Sequence, residues 1–272
     1  MRLERISRAT EPAAIAYLSR APYENVFMTY LVLYDFAPGT RSRIVVALDQ
    51  GGAVAGVGYF GRQLALAAEE TTLDAFAAHA NRHRGERMIV GPRETVGSFW
   101  KRVESWHAPP RLVRDRQLVM AIDRARLRPY PRAVTVRHAR LDEWPAVADS
   151  SASMIEHELE YDPRRNTADF AANVRQMIER KLWWVGESYG RLCFFCNIGP
   201  WCRKTAQLQG IWTPPELRGK GLATASLSAI CDRLLEVSPT LSLYVNDFNA
   251  LAIALYERVG FERVGEYQTI LF

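Results

Sequence analysis

The chain has 272 residues, 48% of them hydrophobic and 24% charged; this is enough apolar material for one large or two modest cores without disulfide or metal staples. Lys and Arg outnumber Asp and Glu by 35 to 30, giving a net charge of +5, and so thin an excess over this length argues against a nucleic-acid footprint. No stretch approaches the roughly 20 apolar residues of a membrane span, and residues 1–20 lack a long apolar run, so neither a membrane partner nor an export signal is expected.

In chain order, apolar spacing predicts helices over residues 12–20 and 24–33. Strands at 43–48 and 53–60 form a hairpin about Gln50-Gly51-Gly52, followed by a helix at 73–82, a strand at 88–90, a helix at 96–103 and a strand at 118–122. Residues 123–132, DRARLRPYPR, carry two prolines and four arginines with little periodicity, which is linker chemistry. The expected division is therefore residues 1–125, a linker at 126–132, and residues 133–272.

The second part opens with a strand at 134–138. A helix follows at 141–150, with Asp142 and Glu143 in its first turn and Pro145 still tolerable there. A second helix runs over 166–179. Strands at 182–187 and 191–198 turn about Glu187-Ser188-Tyr189-Gly190, and a strand at 205–213 ends at Pro214-Pro215. Ala223, Leu227, Ile230, Leu234 and Val237 recur at spacings of 4, 3, 4 and 3, one apolar helix face. Strand 241–245, helix 249–259 closed by Gly260, and strands 261–264 and 267–272 complete the chain. The order β-α-α-β-β-β-α-β-α-β-β gives an α/β (α+β) fold with antiparallel hairpins first and a β-α-β crossover later. The first part reads as a worn copy of the second.

Four cysteines, Cys193, Cys196, Cys202 and Cys231, lie in the second half. With no export signal, reduced thiols and a cytoplasmic location are the expectation. Cys193 and Cys196 sit on a strand, where residues three apart face opposite ways, and are not a zinc knuckle. The run Ile155-Glu156-His157-Glu158-Leu159 lacks the second His of a zincin. No metal is expected.

The chemistry concentrates at Glu216-Leu217-Arg218-Gly219-Lys220-Gly221-Leu222-Ala223. This stretch follows a strand and opens a patterned helix. Unpaired N–H groups and the positive end of the helix dipole point outward there, glycines let an anion approach, and two cations stand by. A phosphate seat and an ordinary glycine-rich cap loop both satisfy the residues. Walker and Rossmann patterns are absent.

Strand 209–213, then Pro214-Pro215, then Arg218-Gly219-Lys220-Gly221-Leu222-Ala223 resembles the Arg-x-x-Gly-x-Ala signature of the GNAT superfamily of acyl-CoA-dependent N-acyltransferases. Downstream, Asn249 through Tyr256 to Gly260-Phe261 resembles that family's second landmark. The resemblance covers residues 133–272 and extends to the first part in outline. It implies tandem GNAT-like domains, each a mixed, mostly antiparallel sheet flanked by helices, the first one degenerate.

It further implies acetyl-CoA as co-substrate. The pyrophosphate would lie on Arg218, Gly219, Lys220, Gly221, Leu222, Ala223 and Thr224, and the pantetheine arm beside Ile211, Trp212 and Thr213, where a bulge would part that strand from 241–245. Asn249 would reach the arm. Tyr256, seven residues on and on the same helix face, would protonate the leaving thiolate. The family's usual carboxylate on the strand before the loop is missing from 205–213. Glu158, flanked by Glu156 and Glu160, is the candidate base or amine binder, with a solvated acidic face as the other reading. The activity implied is acetyl transfer to a primary amine by direct attack in a ternary complex. An acyl-CoA sensor without turnover and a tandem aminoacyl transferase are the alternatives. The residues name neither the amine acceptor nor the oligomeric state.

Overall fold

A computed structural model gives the structure of the protein for residues 1–35, 37–83, 85–130 and 134–272. The end of the expected linker, residues 131 and 132, lies outside the described residues, as does 133. Side chains at 166–168, where the second helix of the second part was expected to open, also lie outside them.

The first half runs β1 (Arg2–Arg5), α1 (Glu11–Leu18), α2 (Val26–Leu33), β2 (Ile44–Leu48), β3 (Val54–Phe60), β4 (Gln63–Ala68), α3 (Leu73–Arg82), β5 (Met88–Pro92), α4 (Arg93–Val103) and β6 (Leu112–Asp123). The second half repeats this order. It runs β7 (Thr135–His138), α5 (Trp144–Leu159), α6 (Thr167–Glu179), β8 (Trp183–Ser188), β9 (Arg191–Trp201), β10 (Thr205–Trp212), α7 (Leu222–Leu234), β11 (Thr240–Asn246), α8 (Ala250–Val259) and β12 (Glu262–Leu271). Among the described residues no helix is long and apolar enough to cross a membrane.

All strands join one twelve-stranded sheet in the order β1-β2-β3-β4-β5-β12-β6-β11-β10-β9-β8-β7. Replacing each strand by its counterpart in the other half reverses this order, so the halves are related by a pseudo-twofold axis. That axis lies between β6 and β12, which pair antiparallel. The last strand of each half is exchanged: β6 pairs with β11 from Thr240–Asp123 to Asn246–Gln117, and β12 pairs with β5. Dividing the chain at 126–132 into two domains is a proposal that has to accommodate this shared sheet.

The exchange reaches into the cores. Leu118, Met120 and Ile122 of β6 pack with Leu227, Ile230 and Leu243 of the second half. Tyr267 of β12 joins Leu31, Val46 and Val57 of the first half. Each half thus has part of its core supplied by the other.

Three departures from the expected elements have local causes. β12 is one strand: Gly265-Glu266 is no turn but pairs in register with Val119 and Leu118 of β6, next to a register shift between Arg263 and Gly265. β6 begins six residues before the expected strand at 118, because after Leu112-Val113 its first part, Arg114-Asp115-Arg116-Gln117, is polar and shows no apolar alternation. Cys193 and Cys196 share one core cluster instead of facing apart. Against Gly186 and Glu187 of β8, strand β9 pairs Phe194 and Leu192 with a register shift that leaves Cys193 unopposed, and such a bulge breaks the alternation. Burial pushes the Cys196 thiol upward, an inert structural setting.

Met120 is fully buried in the second half's core while belonging to the first half's chain. Met120→Ala is expected to cost about 2–5 kcal/mol. Urea unfolding of the wild type, followed by fluorescence and circular dichroism, is expected to give one coincident transition. Two separated transitions would show that the halves fold independently.

Candidate functional site

β10 and β11 run parallel and pair at three positions only: Thr205–Thr240, Ala206–Leu241 and Gln207–Ser242. Past them, β10 shifts register against β9 between Gln209 and Trp212, and Gly210 takes a φ of +60°. β11 continues on its other side along β6 to Asn246. The two strands are therefore held by their outer neighbours while the edges between them part. A cavity of about 440 Å³ opens in the gap.

The loop after β10 carries the chain across the mouth of this gap. Arg218 donates from Nε to the Thr213 carbonyl at 3.0 Å, and its guanidinium lies 4.5 Å over the Trp212 ring. Gly219 and Gly221 have φ of +73° and +72°, a left-handed conformation that side chains resist. Gly221 is the N-cap of α7, and no side chain caps the helix. The first helical bond is Ala225 N–H to the Gly221 carbonyl. The opening amides of α7, at Leu222, Ala223 and Thr224, thus face the cavity with the positive end of the helix dipole.

Asn249 caps α8, its Oδ1 accepting from Ala252 N–H at 3.1 Å. Oδ1 is thereby committed and Nδ2 remains as a donor. Tyr256, two turns on, is 7% exposed. Burial raises its hydroxyl above the ordinary tyrosine range, with the charge of Glu158 adding to the effect. It therefore stays protonated at neutral pH. Asn246, at the end of β11, lines the same cavity with a buried Oδ1 that has no partner. A buried amide oxygen left unpaired is costly and marks a place for a ligand N–H.

Of the residues expected from the sequence, Ile211, Trp212, Thr213, Arg218, Gly219, Gly221, Leu222, Ala223, Thr224, Asn249, Tyr256 and Glu158 all line this one cavity. Lys220 does not; its Nζ turns back to the Glu216 carbonyl at 3.0 Å. Glu156 pairs with Arg164 at 2.9 Å, away from the gap.

The structure adds His157, Tyr244, Asn246, Arg114 and Gln117. Arg114 donates from Nη2 to the Glu158 carbonyl at 3.0 Å and lies 3.4 Å from its Oε2. Arg111 donates to the Leu159 carbonyl at 2.8 Å. Two guanidinium groups of the first half thus hold the C-terminal end of α5, where a cation is also favoured by the helix dipole. His157 approaches the Trp212 ring at 6.0 Å.

Residues 140–261 match the family model described as "Acetyltransferase (GNAT) family", and residues 45–147 match one described as "Domain of unknown function (DUF4081)". No curated protein matches in sequence. Among solved structures, a GNAT-family acetyltransferase from Colwellia psychrerythraea is similar over 100% of both chains, at 12% identity and a TM-score of 0.61. A GCN5-related N-acetyltransferase from Sphaerobacter thermophilus is similar over 99% of this chain and 94% of its own, at 14% identity and a TM-score of 0.64. A tandem GNAT protein from the clavulanic acid biosynthesis pathway is similar over 98% of each chain, at 14% identity and a TM-score of 0.55. At these identities the likeness is one of fold, and that fold is a tandem one.

Losing the cap makes a direct test of α8. Asn249→Ala is expected to lower stability by about 1 kcal/mol, while Asn249→Asp, which keeps the acceptor, stays close to wild type. Thermal melts of the three proteins measure it.

Proposed function

From the premise that the C-terminal half is a GNAT-family acetyltransferase domain, we propose that the protein transfers an acetyl group from acetyl-CoA to a primary amine, by direct attack in a ternary complex. The observation that carries this reading is the parted β10–β11 pair with an uncapped helix N-terminus at one end and Tyr256 along its wall. The residues suit the ligand. Open amides at Gly219 and Gly221–Thr224, with Arg218 beside them, match a pyrophosphate. The Asn246 Oδ1 without a partner and the Asn249 Nδ2 match the N–H and C=O of a pantetheine amide.

The main-chain edge at Ile211, Trp212 and Thr213, whose Thr213 carbonyl is already taken by Arg218, lies beside the arm and supplies an N–H to the thioester carbonyl, where negative charge develops on oxygen. The amine nitrogen attacks the carbonyl carbon, so a C–N bond forms and the C–S bond breaks. Glu158 accepts the proton the nitrogen sheds, and Tyr256 gives its proton to the departing thiolate. Arg114 positions Glu158 by holding its main chain.

His157 stands as a second candidate for the base, because its ring lines the same cavity. The two are separable: Glu158→Gln and His157→Gln are compared in the pH dependence of kcat/KM. The true base is the one whose loss removes the acidic limb.

Tyr256→Phe is expected to lower kcat about 10²–10⁴-fold with acetyl-CoA affinity nearly unchanged. Because the folded pKa of Tyr256 is raised, its contribution persists as pH rises through the ordinary tyrosine value near 10 and is lost only above it. An alkaline limb left unchanged by Tyr256→Phe would contradict the acid role, and one at or below about 10 that the variant abolishes would contradict the raised pKa. Tight acetyl-CoA binding with no transfer to any amine in a broad panel would instead favour a sensor.

A further inference from the structure

The first half contains the same parting. β4 and β5 pair in parallel at Gln63–Met88, Leu64–Ile89 and Ala65–Val90 only, and a cavity of about 900 Å³ lies beyond their ends. Its chemistry is reversed. Where the second half has Arg218-Gly219-Lys220-Gly221, the turn into α3 reads Glu69-Glu70-Thr71-Thr72. A diphosphate placed there would meet carboxylates.

The walls carry Glu24, Glu94, Asp115 and Glu266, with Glu70 at the edge, against Arg93 and Lys101. Arg93 is already taken, pairing with Asp115 at 2.7 Å and Glu266 at 3.2 Å. Glu70 pairs with Arg102 at 2.8 Å. Among the described residues Glu24 and Glu94 have no ion pair. Glu24 is half-buried, and its carboxyl is held above the usual range by burial, partly offset by a hydrogen bond from the Glu266 main chain, with the negative charge of Glu94 adding to the rise.

An independent observation also points to a ligand. Gln268 is 6% exposed and lines the cavity. Its Nε2 donates to Asp115 Oδ1 at 3.0 Å, while its Oε1 has no partner and faces Gly97, another lining residue. The wall groups without an ion pair are Glu24, Glu94 and Lys101, Glu24 already accepting one main-chain hydrogen bond from Glu266; with Gln268 Oε1, acceptors still outnumber the one free wall cation among the described residues. Among the described residues no group of three His, Cys, Asp or Glu is placed to hold a metal. The volume is that of a small-molecule site.

We propose that this cavity binds a small organic dication of the aliphatic diamine class, with its two ammonium groups on Glu24 and Glu94 and one N–H donated to Gln268 Oε1. The site is separate from the C-terminal cavity and uses none of its residues.

Calorimetry of the full chain with putrescine, in low salt and without acetyl-CoA, tests it. Binding is expected to weaken at least about tenfold in Glu24→Gln/Glu94→Gln, to weaken measurably in Glu94→Gln alone, and to be unchanged in Arg218→Ala. No heat with the wild type would overturn the proposal, as would an equal affinity for n-butylamine. If the double variant fails to give a cooperative melt, Glu94→Gln alone decides, since Glu94 is exposed on α4; unchanged affinity there contradicts the site. Heat that survives the Glu24/Glu94 variant and disappears in Glu158→Gln would place the diamine in the C-terminal cavity. That result sinks this proposal and leaves the proposed function standing.

Discussion

The structure turns on a parallel strand pair that is hydrogen-bonded for three residues and then comes apart. A sheet does not ordinarily leave two facing edges unpaired, because each open N–H and C=O loses a partner. Here the opening is enforced from outside. β11 is fastened to β6 along its whole length, and β10 is fastened to β9 past the register shift at Gln209 to Trp212. Neither strand can swing inward without breaking the pairing on its far side. The gap is thus a rigid slot lined by main chain, and a ligand that brings its own amides can complete the ladder on both sides.

The exchange of β6 and β12 explains why the slot belongs to both halves. β6 closes the sheet beside β11, and its polar first part delivers Arg114 and Gln117 to the cavity wall. Through Arg114 and Arg111, the first half fixes the end of α5 and with it Glu158. The division of labour is electrostatic as well as mechanical. Both halves have the parted pair, but only the second has glycines and cations at the start of the following helix, while the first has Glu69 and Glu70. One backbone geometry repeated with opposite charge favours opposite ligands.

Much of this was legible in the residues. The 4-3-4 apolar spacing from Ala223 to Leu234 marked α7 and the Asn249–Gly260 run marked α8, because amphipathic helices write their period locally; Val237, the last residue of the expected face, lies past the end of α7 and is exposed, since the chain leaves the helix at Leu235. The loop before α7 stood out through its resemblance to the Arg-x-x-Gly-x-Ala signature, since its glycines and cations by themselves fit a cap loop as well as a phosphate seat. β4, Gln63–Ala68, escaped notice since its Leu-Ala run is buried on both sides and shows no alternation. β1 is a four-residue edge strand rich in charge. Arg114 and Gln117 could not be assigned to the site from sequence, because their place depends on β6 inserting beside β11, a pairing across more than a hundred residues that no local pattern encodes. Asn246 carried a usable sign: a polar residue at the end of a mostly buried strand, three before the cap.

The most direct test of the account follows the backbone amides of the full chain by NMR during titration with CoA. The largest shifts are expected at Gly219, at Gly221 to Thr224, and along Ile211 to Thr213, with little change around Glu69 to Leu73 at the equivalent turn of the first half. Shifts centred on that first-half turn, or none at the start of α7, would contradict the slot as the place where the nucleotide is held.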